Sequence, residues 1–271
     1  VPRAGLPDFV VIGAQKAGTT SLHRMLRQHP QIHMPKTKEL HYFDFYYDRG
    51  PDWYAAQFHP RRRHRSIGEA TPNYLDGPLA KQRVISDLPD ARIVVIMRNP
   101  VDRAQSHYWH DRRRRELARH ARDIGSSFEV ALARERPEVF AGLVKDDPDE
   151  PRPPASRLSY VRRGEYAEQL DPFLAAYPRD RLHLMLLDDL VADREGSLRD
   201  LFRFLGVRRR PARGIEDSHA NRFRVRDEGG RMQAAAYPPM SPATREALAA
   251  HFRPHNERLG ALLGRDLGHW R

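Results

Sequence analysis

Asp8-Phe-Val-Val-Ile-Gly-Ala-Gln-Lys16-Ala-Gly-Thr-Thr-Ser-Leu22 is the stretch that decides the fold. Phe9 to Ile12 is a short apolar, β-branched run of the kind that sits in a parallel sheet. Gly13 and Gly18 bracket a tight loop, and Thr19, Thr20 and Ser21 open a helix. Such a loop aims backbone N–H groups at one spot, at the positive end of a helix dipole, and so forms an anion site. Lys16 adds a full charge and the three hydroxyls add donors. The same outline would also suit a strand–turn–helix junction that binds nothing.

The spacing departs from an ordinary ATP-binding loop. A Walker A loop, G-x-x-x-x-G-K-[ST], carries its Lys directly after the second Gly. Here Gly13 and Gly18 keep the interval, Thr19 holds the Lys position, and the Lys has moved to 16. The later strand Arg92 to Met97 ends in Arg98 and lacks the terminal Asp that would hold Mg²⁺. The loop therefore reads as one for a phosphate without a metal-bridged triphosphate.

Outward from this stretch, apolar strands recur between helical segments. Phe9 to Ile12, Ser66 to Glu69, Ile93 to Met97 and Leu182 to Leu187 read as strands, with a brief one near Gln31 to Met34. Helices fit Ser21 to Gln28, Pro100 to Arg119, Tyr166 to Ala176, Ser197 to Leu205 and Pro242 to Leu263. Asn99 followed by Pro100 is a helix start, a cap and then Pro at the first helical position. Strands alternating with helices predict an α/β, three-layer, P-loop-like fold: a central parallel sheet with helices on both faces. At 271 residues the chain predicts one domain over 1–271. Residues 145–157, rich in Pro and charge, predict a mobile loop.

Composition narrows the function. The net charge is +11, with Arg runs at Arg61 to Arg65, Arg112 to Arg115 and Arg208 to Arg210. A basic nucleic-acid-binding protein is one reading of that charge, but no helix-turn-helix, zinc finger or aromatic ribonucleoprotein motif surrounds the runs. A positive rim around an anionic cofactor is another. With no Cys there is neither a disulfide framework nor a thiol nucleophile, which fits a cytoplasmic location. No stretch has the length of a membrane span, so no membrane partner is expected. The His residues form no H-E-x-x-H pair. His107, His110 and Asp111 have metal-compatible spacing, but the tetra-Arg run beside them opposes a cation, and no metal site is expected.

The loop resembles the 5′-phosphosulfate loop of sulfotransferases that use 3′-phosphoadenylyl sulfate (PAPS). Three further segments resemble the branch related to heparan sulfate sulfotransferases: Lys38-Glu39-Leu40-His41-Tyr42-Phe43-Asp44, Gly68-Glu69-Ala70-Thr71-Pro72-Asn73-Tyr74, and Ile96 through Arg98 to Ser106 and Tyr108. The resemblance covers most of the chain, in family order. It implies sulfonate transfer from PAPS, with adenosine 3′,5′-bisphosphate (PAP) as product, to a hydroxyl or, as the lesser choice, an amine. It places Lys16, Ala17, Gly18, Thr19, Thr20 and Ser21 on the 5′-phosphosulfate. Arg98 and Ser106 go to the 3′-phosphate, and Gly230 and Arg231 close over the cofactor. Glu39 becomes the catalytic base, with Lys16 and His41 as the other catalytic residues, and His41, Asp44 and Tyr74 face a small-molecule or carbohydrate acceptor.

On elementary grounds, if the Lys38 to Asp44 segment is extended, Glu39 and His41 share a face. A carboxylate walled by aromatics has its pKa raised by desolvation. A surface pairing of Glu39 with Lys36 or Lys38 is the simpler alternative, and His107 or His110 are the alternative bases. One departure stands out. Heparan sulfate enzymes usually carry Lys where this chain has Ala70, so their acceptors do not transfer directly. Heavy Ala, Arg and Pro usage suggests a high-GC bacterium, in which the acceptor would be a secondary metabolite or a glycoconjugate precursor. The rival enzyme reading is a small-molecule kinase of related fold.

Overall fold

The apolar runs pair edge to edge. In a computed structural model, which describes residues 5–117, 126–144, 158–210, 224–226, 232–234 and 237–270, β1 (Phe9–Gly13), β2 (Ile32–His33), β3 (Ser66–Ala70), β4 (Arg92–Met97) and β5 (Leu182–Leu186) form one sheet in the order β2-β3-β1-β4-β5. Every pairing is parallel. Buried parallel strands are apolar on both faces, and β1 shows this: all five of its residues are buried. Phe9, Val11, Val94 and Ile96 project into a core shared with Leu22, Met25 and Leu26 of α1 (Thr19–Arg27) and with Leu198, Leu201 and Phe202 of α9 (Arg194–Phe204). Strand alternation sends Val10, Ile93 and Val95 to the other face, where they too are fully buried. Gly68 lies opposite Phe9, and any Cβ there would meet the Phe9 ring at 2.3 Å. This is the expected P-loop-like α/β fold.

The described residues fall into two compact units. The first draws on Val1–Arg98 and Gln169–Ala220 and holds the sheet; the second draws on Asn99–Glu168 and Asn221–Arg271. The first unit also contains α2 (Gly50–Ala55), α3 (Pro78–Asp87) and α8 (Leu187–Ala192). The second contains α4 (Pro100–Leu117), α5 (Phe128–Glu135), α6 (Pro137–Phe140) and α10 (Pro242–Leu263). A small antiparallel pair, β6 (Arg224–Arg226) with β7 (Met232–Ala234), belongs to it as well. The α7 helix (Tyr166–Ala176) spans the point where the chain passes from the second unit back to the first. The second unit has its own core, in which Val101, Ala104 and Tyr108 of α4 pack with Leu248 and Phe252 of α10. The expected start of α4 is observed: Val101 N donates to Asn99 Oδ1 at 3.0 Å, and Pro100 is the first helical residue. Residues 145–157, Gly230 and Arg231 lie outside the described residues.

Candidate active site

In an open parallel sheet the carboxyl ends of the strands gather the loops that bind ligands. In the first unit, β1 runs into the Gly13–Gly18 loop. Ala14 N donates to Ile96 O of β4 at 2.7 Å, which ties the loop to the neighbouring strand. Gly18 sits at φ 99, and a Cβ there would approach Leu187 to 2.9 Å, so only glycine fits. It is the N-cap of α1, with no side-chain cap and no acidic residue in the first turn. The first turn of α1 therefore adds no carboxylate of its own against the positive end of the helix dipole. Ala17 and Thr19 are buried, and Thr20 and Ser21 are half-buried at the same helix start. Lys16 precedes them at φ 69.

The end of β3 brings in the second group. Thr71 N donates to Val11 O at 3.1 Å, and Leu75 N donates to Ile12 O at 2.9 Å. Glu39 N donates to Ala70 O at 3.1 Å, so the Lys38 to Asp44 segment is anchored at the same strand ends. The segment is not extended, as the shared-face expectation required. Glu39 and His41 both have positive φ, 63 and 55. Their side chains nevertheless converge: His41 Nε2 lies 3.6 Å from Glu39 Oε2, and His41 Nδ1 lies 2.8 Å from Asp44 Oδ2. Asn73 Nδ2 donates to the same Asp44 oxygen at 3.1 Å. Lys38 is ion-paired with Glu39.

The electrostatics correct the expected pKa of Glu39. Burial does push it upward, but the hydrogen bond from His41 and the charge of Lys38 outweigh burial and hold it at about 2. The aromatics wall off Glu69 instead. For His41, burial works to lower the pKa, while the hydrogen bonds to Asp44 and Glu39 raise it to about 9. In this state a carboxylate, an imidazolium and a second carboxylate stand in sequence.

Glu69, whose role the sequence did not disclose, is only 1% exposed. Tyr54 Oη and Tyr74 Oη donate to its Oε1 at 2.8 and 2.9 Å, and Thr71 Oγ1 donates to Oε2 at 2.7 Å. Burial raises its pKa despite those three donors. Tyr74 was expected to face the acceptor. Its side chain is fully buried and its hydroxyl serves Glu69, while Phe43 N donates to that hydroxyl at 3.4 Å. Tyr74 thus props the Lys38 to Asp44 segment from behind. A lone acidic residue in the last positions of a buried strand was the available signal, since such a group must be paired.

Arg98 directly follows β4 in the first unit and is half-buried. In the second unit, Ser106 on α4 is buried, and its Oγ lies 2.9 Å from Tyr237 Oη, a partner no motif announced. His107, weighed as a base, is buried with its ring 4.8 Å from that of Tyr160 and its Nε2 3.4 Å from Asp111. Of the Arg runs, Arg112 donates to Tyr108 Oη and Ser126 O, and Arg210 donates to Gln28 O, so part of the positive charge ties loops to helices. Among the described residues one group could hold a metal: Glu165, His251 and His255, with ligand atoms within 4.8 Å of one another. Arg136 already donates to both oxygens of Glu165, at 3.0 and 3.3 Å, and matches its charge.

A glycine-bounded loop leading from the first strand of a five-stranded parallel sheet into a helix places the chain in the P-loop-like α/β class. Within that class the chain belongs to the sulfotransferase family: residues 6–225 match the sulfotransferase domain. It is 31% identical to a sulfotransferase from Alicyclobacillus acidocaldarius of known crystal structure, with a TM-score of 0.72 over 98% of this chain and 99% of that one. It is 30% identical to heparan sulfate glucosamine 3-O-sulfotransferase 3A1 of Mus musculus, across 97% of this chain and 64% of that protein. It is also 30% identical to the bifunctional heparan sulfate N-deacetylase/N-sulfotransferase 3 of Homo sapiens, across 98% of this chain and 31% of that protein. The chain thus spans less than two thirds of the length of these two curated relatives. Among the described residues, no helix is long and apolar enough to cross a membrane.

Proposed function

We propose that this protein moves a sulfonate group from PAPS to a hydroxyl of a small-molecule or carbohydrate acceptor. One observation carries the reading. Among the described residues, the three non-glycine positions at positive φ are Lys16, Glu39 and His41. Residues held in that sparsely populated region concentrate where geometry serves chemistry. Here they are the residues that a sulfonate transfer needs.

In the reaction the S–O bond to the 5′-phosphate breaks and a new S–O bond forms to the acceptor oxygen. The acceptor proton goes to Glu39, and PAP departs with the electrons of the broken bond. Lys16 and the N–H groups from Gly18 to Ser21 take the growing negative charge on the phosphate. Arg98 takes the 3′-phosphate through charge-assisted hydrogen bonds, and Ser106 is the second residue assigned to that group. Gly230 and Arg231 keep their assignment to the cofactor. None of these tasks requires a metal ion.

Glu39 is ionised at neutral pH, the form that accepts a proton. An acceptor hydroxyl that takes the place of Lys38 on its carboxylate removes part of what holds its pKa down, and so strengthens the base as the site fills. Asp44 fixes His41, and His41 fixes Glu39. A carboxylate base suits a hydroxyl, whose proton must leave as the bond forms; a neutral amine attacks without that help. The kinase reading fares worse, because Thr19 begins α1 where a kinase loop needs Lys, and Arg98, not an Asp, follows β4.

The test is thermal. PAP should raise the melting temperature, since a ligand stabilises the state it binds. AMP, without the 3′-phosphate, should do so much less. Equal shifts from the two would remove Arg98 from its role.

A further inference from the structure

The turn that carries His41 and Asp44 continues into two aromatic residues that the mechanism above leaves unused. Phe45 is 64% exposed, and it is the one exposed phenylalanine among the described residues. Its ring centroid lies 4.9 Å from that of His41, tilted by 34°. Tyr46, next to it, is 40% exposed. Other exposed apolar side chains, such as Leu79 and Val191, have no place in the catalytic group.

The position of Phe45 is not a matter of loop wander. Its N–H donates to His41 O at 3.0 Å and lies 3.0 Å from Asp44 Oδ1, and Tyr46 N donates to His41 O at 2.9 Å. Asp44 is the residue that orients the His41 ring, so one carboxylate fixes both the imidazole and the Phe45 backbone. Arg49 lies over the Tyr46 ring at 4.4 Å and over the Trp53 ring at 4.9 Å, which fastens the far side of the turn. An apolar ring face is thereby held in water at the rim of Glu39 and His41. Exposed aromatic faces that are fixed in place serve as stacking platforms for flat ligands.

We propose that Phe45, flanked by Tyr46, is the acceptor platform of this protein, and that it receives the apolar face of a ring-bearing alcohol while the hydroxyl of that ring reaches Glu39. The shared chemistry is an apolar face with a hydroxyl at its edge: the π-face of a phenol, or the C–H face of a pyranoside chair. The proposal rests on the sulfonate-transfer reading, because that reading makes Glu39 the group an acceptor hydroxyl must approach.

The experiment measures binding of three probes to the full chain saturated with PAP: 2-naphthol, methyl β-D-glucopyranoside, and propane-1,2-diol as a hydroxyl compound without a ring. Saturation-transfer NMR titration gives the affinities, and PAP binding is recorded separately by thermal shift. At least one ring-bearing probe should bind, the diol should not, and the better of the first two identifies the source. Phe45→Ala should weaken the ring probe about tenfold, and Phe45→Trp should keep or strengthen it. Both variants should bind PAP as the parent does, and both should fold, because the side chain is exposed. If PAP binds but neither ring probe does, or if Phe45→Ala binds the probe as tightly as the parent, the platform is wrong and the sulfonate-transfer reading survives. If PAP itself does not bind, both fall together.

Discussion

Glu39 and Glu69 meet the same strand ends, one through its backbone and the other as part of β3, yet their carboxylates are treated in opposite ways. The Glu39 side chain is 38% exposed, with a lysine and a charged imidazole beside it, and its pKa falls to about 2. Glu69 is sealed among three hydroxyl groups and its pKa is raised. The first has cations and a way out to solvent; the second has dipoles and none. Segments rich in acidic and aromatic residues do not by themselves say which carboxylate reacts. Access and the sign of the neighbouring charge decide.

Paired substitutions give the largest expected effects and the sharpest way to break this contrast. Glu39→Gln should lower the sulfonate-transfer rate by about 10²–10⁴, the usual scale for losing a general base, and leave PAP affinity and melting temperature nearly unchanged. Glu69→Gln should do the reverse and cost stability first. An amide has one acceptor oxygen and turns an N–H₂ toward donors, so a buried hydroxyl loses its partner at a cost of about 1–3 kcal/mol. That amounts to a drop of several degrees in melting temperature. Exchange of the two outcomes would mean that Glu69 is the reacting carboxylate.

A smaller effect extends the contrast to the end of β4. Arg98→Ala removes one charge-assisted contact, worth about 1.5–3 kcal/mol, and should weaken PAP about ten- to a hundredfold with the fold intact. Unchanged affinity by calorimetry would detach Arg98 from the cofactor.

The smallest effect concerns the cationic side of the contrast. The His41 pKa is raised from 6.5 to about 9, so its contribution to stability is fully present below about pH 6.5 and is lost as pH rises through about 9. For Glu39, lowered to about 2, the contribution is present above about pH 4.5 and is lost as pH falls through 2. Asp44→Asn removes a charge from beside His41 and should bring its titration, followed by NMR of the ring, back toward the ordinary range. A ring that still titrates near 9 in that variant would show that Asp44 is not what holds the proton.

Much of the framework was legible because it is local. The apolar run Phe9 to Ile12, the glycines at 13 and 18, and the Asn99-Pro100 start each act over a few residues, and each is found where the sequence puts it. The Lys38 to Asp44 segment was not legible in shape. Nothing at Glu39 signals positive φ, which usually marks glycine or asparagine, and the weak tendency of histidine toward that region does not single out His41. The conformation is imposed from elsewhere: by Ala70 O on the Glu39 amide, by Asn73 on Asp44, and by Tyr74 on Phe43. The low pKa of Glu39 was missed for the same reason, since it depends on where the Lys38 and His41 side chains point. The Glu69 cage unites Tyr54, Thr71 and Tyr74, which no single motif contains.

The strand order has a consequence for how the protein is made. Once Met97 has emerged from the ribosome, β1, β3 and β4 can pair, but the outer edge of β4 has no neighbour. That neighbour, β5, begins only at Leu182. At about 5–20 residues per second, the ribosome leaves the edge Ile93 to Met97, apolar along its whole length, open for several seconds or more. An unpaired apolar strand edge is a template for the wrong partner. The nascent chain therefore passes through a window in which it depends on dilution or on a holding chaperone. Synonymous codon changes that slow translation between the two strands lengthen that window and should lower the yield of folded protein without touching a single residue of the mature molecule.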